Sequence, residues 1–201
     1  HGVAISGLST LLPAAESTRL ITMMAANGVD AISEVPAARW DAPAMPLPDP
    51  IASRVRHGGF VHGAELADSA KFGVSPAEAA AMDPQQRLLL ERGYAALHAA
   101  GADRAALSGS LTGVFLGIAA SEFGQLLAAS PAGGSVYAVT GAALSIAAGR
   151  LSYALGLHRP CTSYDTACSA ALVAGHAARC ALQLDECGRG LVAGVSLMLL
   201  P

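Results

Sequence analysis

Asp165-Thr166-Ala167-Cys168-Ser169 places one cysteine where a strand-like run meets a helix-like run, and that junction can make a thiol a nucleophile. The preceding Cys161-Thr162-Ser163-Tyr164 is short and rich in strand formers, whereas Ala170-Ala171-Leu172-Val173-Ala174 opens an uncharged helix. This pattern predicts Cys168 in the first helical turn. Free backbone N–H groups and the positive end of the helix dipole there favour thiolate over thiol and can also bind an oxyanion. The alternative role for such a cysteine is that of a small buried core residue.

The remaining thiols and imidazoles give weaker chemistry. Cys161, Cys168, Cys180 and Cys187 form no Cys-x-x-Cys pair, and the chain has none of the cysteine density of small secreted domains, so reduced thiols are expected. His176 and Cys180 stand one helical turn apart, which is ligand spacing, but no second pair completes a four-ligand metal set. No metal site is expected. Gly113 and Gly117 are followed by no Gly-Lys-Ser/Thr, so close sheet packing explains them better than a phosphate loop. His176 lies eight positions beyond Cys168, roughly 12 Å along a helix, too far for direct proton transfer, and reads as a core or interface histidine. His1, His57, His62, His98 and His158 fall in loop-like or helix-surface contexts.

The elements that position Cys168 follow from periodicity and punctuation. Val3 to Leu8 reads as a buried strand, and Glu16 to Ala26 as a helix with Ser17 near its start and Gly28 past its end. Asp41 to Pro50 carries four prolines and reads as an irregular loop. From Asp83 a helix is clear: Asp83 can cap, Pro84 suits the first position, Leu90, Tyr94 and Leu97 share a face, and Gly101 follows. Thr112 to Ala119, Thr162 to Thr166 and Leu191 to Leu199 read as strands, and Ser145 to Leu155 as part of a helix. Strands alternating with helices predict an α/β layer with a mostly parallel sheet. The helix after Cys168 is uncharged over its first three turns, which predicts burial all round and a thiol directed into the interior.

Composition bounds the function. The chain has 201 residues, 53% hydrophobic and only 13% charged, where a self-contained soluble domain has about a quarter charged. Mean hydropathy is +0.46. Much of its surface is therefore expected to meet more protein. A formal net charge of -3 with scattered arginines gives no electrostatic footprint for nucleic acid. The uncharged stretch from Phe123 to Gly149 is broken by Pro131, Gly133-Gly134, Thr140 and Gly141, which predicts two buried helices joined by a turn and not a membrane span. The first residues run straight into a strand-like pattern without an initiator Met, as in an internal piece of a longer protein, and Val3 to Ala15 lacks the basic region of a signal peptide. An intracellular setting, cytoplasmic or organellar with plastids included, is expected.

Asp165-Thr166-Ala167-Cys168-Ser169 with Leu172-Val173 resembles the nucleophile motif of β-ketoacyl synthases, the condensing enzymes of fatty-acid and polyketide assembly. Further blocks resemble the same family in order: Val3 to Leu8, Val35 to Asp41, His57-Gly58-Gly59-Phe60, Phe72 to Pro76, Met82 to Glu91, Thr112 to Gly117, and Ala148 to Tyr153 with Leu155-Gly156-Leu157. Met82 to Glu91 is the most specific and resembles the synthase domains of multidomain type I polyketide synthases. The chain departs from the family in Ala170-Ala171, where further serines are common, and in Arg159-Pro160-Cys161, where Gly-Pro-Ser is frequent; Cys161 then reads as a core thiol.

The resemblance implies a thiolase-like α/β fold, with residues 1–201 forming its N-terminal half: a mixed, mostly parallel sheet with helices on both faces. It implies acyl transfer from an acyl-carrier-protein phosphopantetheine thioester to Cys168, then decarboxylative condensation with a malonyl-type extender to a β-ketoacyl product. It further implies a homodimer, flanking synthase domains, and no directly bound cofactor. Cys168 is the catalytic residue on this analogy, with its own N–H as one oxyanion donor. The two histidines of the family, one in His-Gly-Thr-Gly-Thr and one later, have no counterpart motif in residues 1–201, so the fragment alone is expected to be inactive. A non-catalytic synthase-like dimer partner and a coenzyme A-dependent enzyme of the same fold are the alternatives.

Overall fold

The computed structural model describes residues 2–41, 44, 46, 48–119 and 122–201; positions 1, 42, 43, 45, 47, 120 and 121 lie outside the described residues, and with them His1 and part of the expected Asp41 to Pro50 loop. The N-terminal third holds α1 (Thr18–Ala26), a two-residue antiparallel ribbon of β1 (Ser33–Glu34) and β2 (His57–Gly58), and α2 (Asp49–Arg54) between them. Ser17 caps α1 by accepting from the Leu20 N–H, and Gly28 follows with φ +60°. Then come α3 (Pro76–Ala81), α4 (Pro84–Ala99) and α5 (Arg104–Leu107). The expected cap of α4 is present, Asp83 Oδ1 accepting from the Gln85 N–H at 2.8 Å.

The sheet that organises the rest contains β3 (Thr112–Ile118), β4 (Cys161–Tyr164) and β5 (Arg189–Val195) in the order β4-β3-β5, parallel throughout. Between β3 and β4 run α6 (Phe123–Ala128), a 3-10 turn (Pro131–Gly134), α7 (Ala138–Ala142) and α8 (Leu144–Leu155); α9 (Ala170–Gln183) joins β4 to β5. Central strand β3 is buried along its whole length, as a strand covered on both faces must be. Its alternation divides the core in two. Val114, Leu116 and Ile118 face Leu89, Leu90, Leu151 and Leu155 of α4 and α8, whereas Phe115 faces Ala174, Ala178 and Ala181 of α9. Helices thus cover both faces, and the parallel α/β layer is the one expected.

Four expectations are corrected. Val3 to Leu8 forms no strand: residues 2–11 have no ladder, and Val3, Ile5 and Leu8 are exposed, because no neighbouring strand among the described residues offers them N–H and C=O partners. Gly7 nevertheless packs against the end of α4, where a Cβ would lie 2.3 Å from the Ala96 carbonyl oxygen. The uncharged Phe123 to Gly149 region is three helices and a 3-10 turn, with Val136 and Val139 on the surface, because Pro131 and its glycines cut it into pieces too short to bury all round. Among the described residues no helix is long and apolar enough to cross a membrane. Cys161 is exposed and not a core thiol, since β4 is an edge strand of the sheet. The fourth correction concerns α9. Only its Ala170, Ala174, Ala178 and Ala181 face is buried, against β3, while Leu172 and His176 point outward.

The block from Met82 to Glu91 has a structural task. Met82, Asp83, Gln85, Gln86, Leu88, Leu89 and Leu90 are buried. The Gln86 carboxamide donates to the carbonyls of Thr140 (3.3 Å), Gly141 (3.0 Å) and Ala143 (3.3 Å), and its oxygen accepts from Arg150 Nε at 2.7 Å. Arg150 also pairs with Glu78. One amide therefore joins α4, α7 and α8, and satisfies carbonyls that the short helix α7 leaves open.

Candidate active site

Cys168 lies past the carboxyl end of β4, in the turn that leads to α9, and its residue is exposed. It precedes the helix instead of lying in its first turn: α9 starts at Ala170, with Ser169 as the flanking residue. The N–H groups expected to be free are also partly committed. Those of Ser169 and Ala170 donate to the carbonyls of Thr166 and Ala167, and those of Leu172 and Val173 donate to the Ser169 carbonyl. Tight turns close before the helix proper, so the thiol is presented by a built turn more than by an open helix end.

Each neighbour of Cys168 helps to build that turn. Asp165 Oδ1 accepts from the Ala167 N–H at 3.2 Å, an Asx turn. Ser169 Oγ donates to the Thr166 carbonyl at 2.8 Å and lies 3.0 Å from Thr166 Oγ1. Ala167 has φ 53°, a left-handed conformation that a non-glycine residue adopts at a cost of about 1 kcal/mol or more, and which persists where the surroundings impose it. Small, polar, strained and reactive residues thus follow one another for separate reasons. The sequence signal for the turn was present in the Asp, Thr and Ser types, which bond their own backbone; Ala167 gave none, because alanine carries no mark of positive φ.

The turn is seated directly on the sheet. A Cβ at Gly117 would lie 2.4 Å from the Ala171 nitrogen and 2.5 Å from the Ala170 carbonyl carbon, and a Cβ at Gly194 would lie 2.8 Å from Ala171 Cβ. Gly117 of β3 and Gly194 of β5 are register partners. They form a flat step on which Ala170-Ala171 rests, so the two alanines serve packing. Close packing was the expected role of Gly117.

The other candidate residues are dispersed. His176 Nε2 lies 3.5 Å from Cys180 Sγ on the outer face of α9, and among the described residues this is the one thiol–imidazole contact. His57 is exposed on β2. No group of three or more His, Cys, Asp or Glu side chains among the described residues could hold a metal ion. Cys187 is buried near Phe115 and Ala178, and desolvation pushes its thiol above the ordinary value, partly offset by a backbone hydrogen bond at Gly113. All four cysteines are unpaired. One residue at this sheet edge was not legible in the sequence: Glu122, half-buried just past β3, whose Oε2 accepts the N–H groups of Leu199 and Leu200 at 2.6 Å each.

Comparison with known proteins fits this geometry. The family described as "Beta-ketoacyl synthase, N-terminal domain" matches residues 1–201. Polyketide synthase GfsB of Streptomyces halstedii is 45% identical over 99% of this chain, which spans 4% of that protein. The spectinabilin polyketide synthase system protein NorC of Streptomyces orinoci is 44% identical over 88% of this chain, which spans 8% of that protein. Among solved structures, the ketosynthase from module 6 of the bacillaene synthase of Bacillus subtilis 168 superposes with a TM-score of 0.82 at 35% identity, covering 97% of this chain and 31% of its own. The oxazolomycin ketosynthase domain OzmH KS7 of Streptomyces albus JA3453 gives 0.88 at 31% identity, covering 98% of this chain and 35% of its own. These structures also place the chain in the thiolase-like α/β class. The chain belongs to the β-ketoacyl synthase family, as an N-terminal ketosynthase domain of the polyketide-synthase type.

Proposed function

We propose that Cys168 is the acyl-carrying nucleophile of a condensing enzyme. The observation that carries this reading is its display on a strained, side-chain-braced turn at the carboxyl edge of a parallel sheet, where open α/β sheets place their ligands. The thiolate attacks the carbonyl of an acyl group held as a phosphopantetheine thioester on an acyl carrier protein. The new thioester forms on Sγ, and the departing pantetheine thiolate takes up a proton. The Cys168 N–H is one donor to the oxyanion. A malonyl-type extender on its carrier then loses carbon dioxide, and the resulting enolate attacks the acyl carbon and releases Cys168 as thiolate, leaving a β-ketoacyl thioester on the carrier.

The decarboxylation calls for the two family histidines, whose motifs do not occur in residues 1–201, so this reading gives the chain's own residues the acyl-carrying step alone. No cofactor is bound directly. A second copy, the carrier protein and flanking synthase domains are the partners, and exposed Leu172, Val136 and Val139 are apolar surface for such protein to cover. The setting is intracellular, in keeping with four unpaired thiols.

Cys168→Ala in the complete synthase tests the reading. Condensation is expected to collapse as a loss of turnover, not a modest rise in KM, with cooperative melting retained. Condensation near the wild-type rate would assign Cys168 to structure and favour a non-catalytic partner.

A further inference from the structure

Three residues occupy equivalent places in the sheet. Glu122, Cys168 and Leu199 each lie four residues beyond the last residue of a strand: Ile118 of β3, Tyr164 of β4 and Val195 of β5. Because the strands are parallel and β3 pairs with both others, all three segments leave the same carboxyl edge. Glu122 Oε2 closes two of them together. It accepts the Leu199 and Leu200 N–H groups at 2.6 Å each, two charge-assisted bonds converging on one half-buried oxygen. Glu122 also opens the uncharged excursion from α6 to α7, whose far end is held by Gln86 through the carbonyls of Thr140, Gly141 and Ala143.

We propose that Glu122 is a positioning residue of the acyl site, its carboxylate holding the start of α6 to the exit segment of β5 as the wall beside Cys168 that receives the acyl group. The proposal rests on the reading of Cys168 as the acyl carrier. Loss of the two bonds frees the end of β5's exit segment and the start of α6, and a displaced wall weakens productive placement of the acyl thioester. The thiol and its turn, held separately by Asp165, Thr166 and Ser169, stay intact. Effects on a bulky acyl donor and on a small alkylating reagent therefore separate.

The experiment uses the complete synthase as wild type, Glu122→Ala, Glu122→Gln and Leu200→Pro. The measurements are acylation of Cys168 by an acyl N-acetylcysteamine thioester, alkylation of Cys168 by iodoacetamide, and thermal melting. Glu122→Ala is expected to lower acylation kcat/KM about tenfold or more, chiefly through KM, with alkylation within about twofold of wild type. Glu122→Gln keeps an acceptor oxygen and is expected to recover most of the loss. Leu200→Pro removes one donor and is expected to show the same acylation-specific fall, and it decides the matter if the alanine variant does not melt cooperatively. Wild-type acylation in Glu122→Ala and Leu200→Pro, a parallel fall in alkylation, or no recovery in Glu122→Gln overturns the positioning role. A wild-type enzyme that carries no acyl group on Cys168 overturns the reading of the site itself, and the proposal with it; unchanged acylation in the variants overturns only the role of Glu122.

Discussion

Gly117 and Ala171 meet so closely that a Cβ on Gly117 would lie 2.4 Å from the Ala171 backbone nitrogen. The contact is backbone on backbone, so no side chain can turn aside to admit a methyl group. Gly117→Ala is accordingly expected to lift the start of α9 off β3, to cost roughly 1–3 kcal/mol of stability, and to change the alkylation rate of Cys168. Gly175→Ala on the same helix is the control. Its Cβ would meet only Val192 Cγ1, at 3.9 Å, and alanine favours helix over glycine, so denaturant melting should show it neutral or more stable by up to about 1 kcal/mol. Equal behaviour of the two variants would contradict the seating of the turn on the sheet.

Gln86→Leu should be costly for a different reason. It removes the side-chain bonds to the Thr140, Gly141 and Ala143 carbonyls and to Arg150 Nε in a partly buried setting, while Gly141 and Ala143 still accept from the Asp83 and Ile146 N–H groups, a loss of about 1–3 kcal/mol. In a double-mutant cycle with Arg150→Met, the two changes should be less than additive, because they remove a shared bond. Strict additivity in urea melts would show that the amide and the guanidinium act independently.

Ala167 is the strained position of the nucleophile turn, at φ 53°. Ala167→Gly relieves the strain but frees the unfolded chain, so its stability should stay within about 1 kcal/mol of the parent. Ala167→Val adds a branched side chain to a left-handed residue and should destabilise further and slow acylation. Melting and single-turnover acylation of both variants check the order.

Cys187 should be the slow thiol. Burial raises its pKa, so at neutral pH less of it is thiolate than of an ordinary cysteine, and its alkylation should begin to rise only at higher pH. The stability consequence has a definite sign. The stabilising contribution of the neutral buried thiol is fully present below the unfolded-state pKa. It is lost as pH rises through the raised folded value, because the unfolded chain gives up its proton first. Cys187→Ala should remove that alkaline slope; an unchanged slope would assign it to other groups.

The parts of the fold that were legible in the sequence are those whose signal is local. Ser17 and Asp83 cap as their types predict, and the punctuation at Pro84, Gly28 and Gly101 marks real helix ends. The alternation of strands and helices correctly implied a parallel sheet. The errors share one cause, since hydrophobic pattern reports what a segment can bury and not whether a partner is present. Val3 to Leu8 has a strand's composition without a ladder, and α9, though uncharged over its first three turns, is covered on one face. Cys161 looked like a core residue because its place at a sheet edge depends on strand order, which no local window contains. At the site, Asp165 and Thr166 read as the end of a strand, whereas β4 stops at Tyr164 and both residues build the turn with Ser169. Glu122 was not legible, because its partners lie 77 and 78 residues away and are backbone groups without side-chain identity.

The most direct measurement of the central claim is the location of the acyl group. The complete synthase is incubated with an acyl-phosphopantetheine carrier protein, quenched, digested and mapped by mass spectrometry. The acyl mass is expected on the peptide containing Cys168, with Cys161, Cys180 and Cys187 unmodified and no acyl-enzyme in Cys168→Ala. An acyl group carried on another residue, including Cys180 with His176 3.5 Å from its sulfur, would contradict the account.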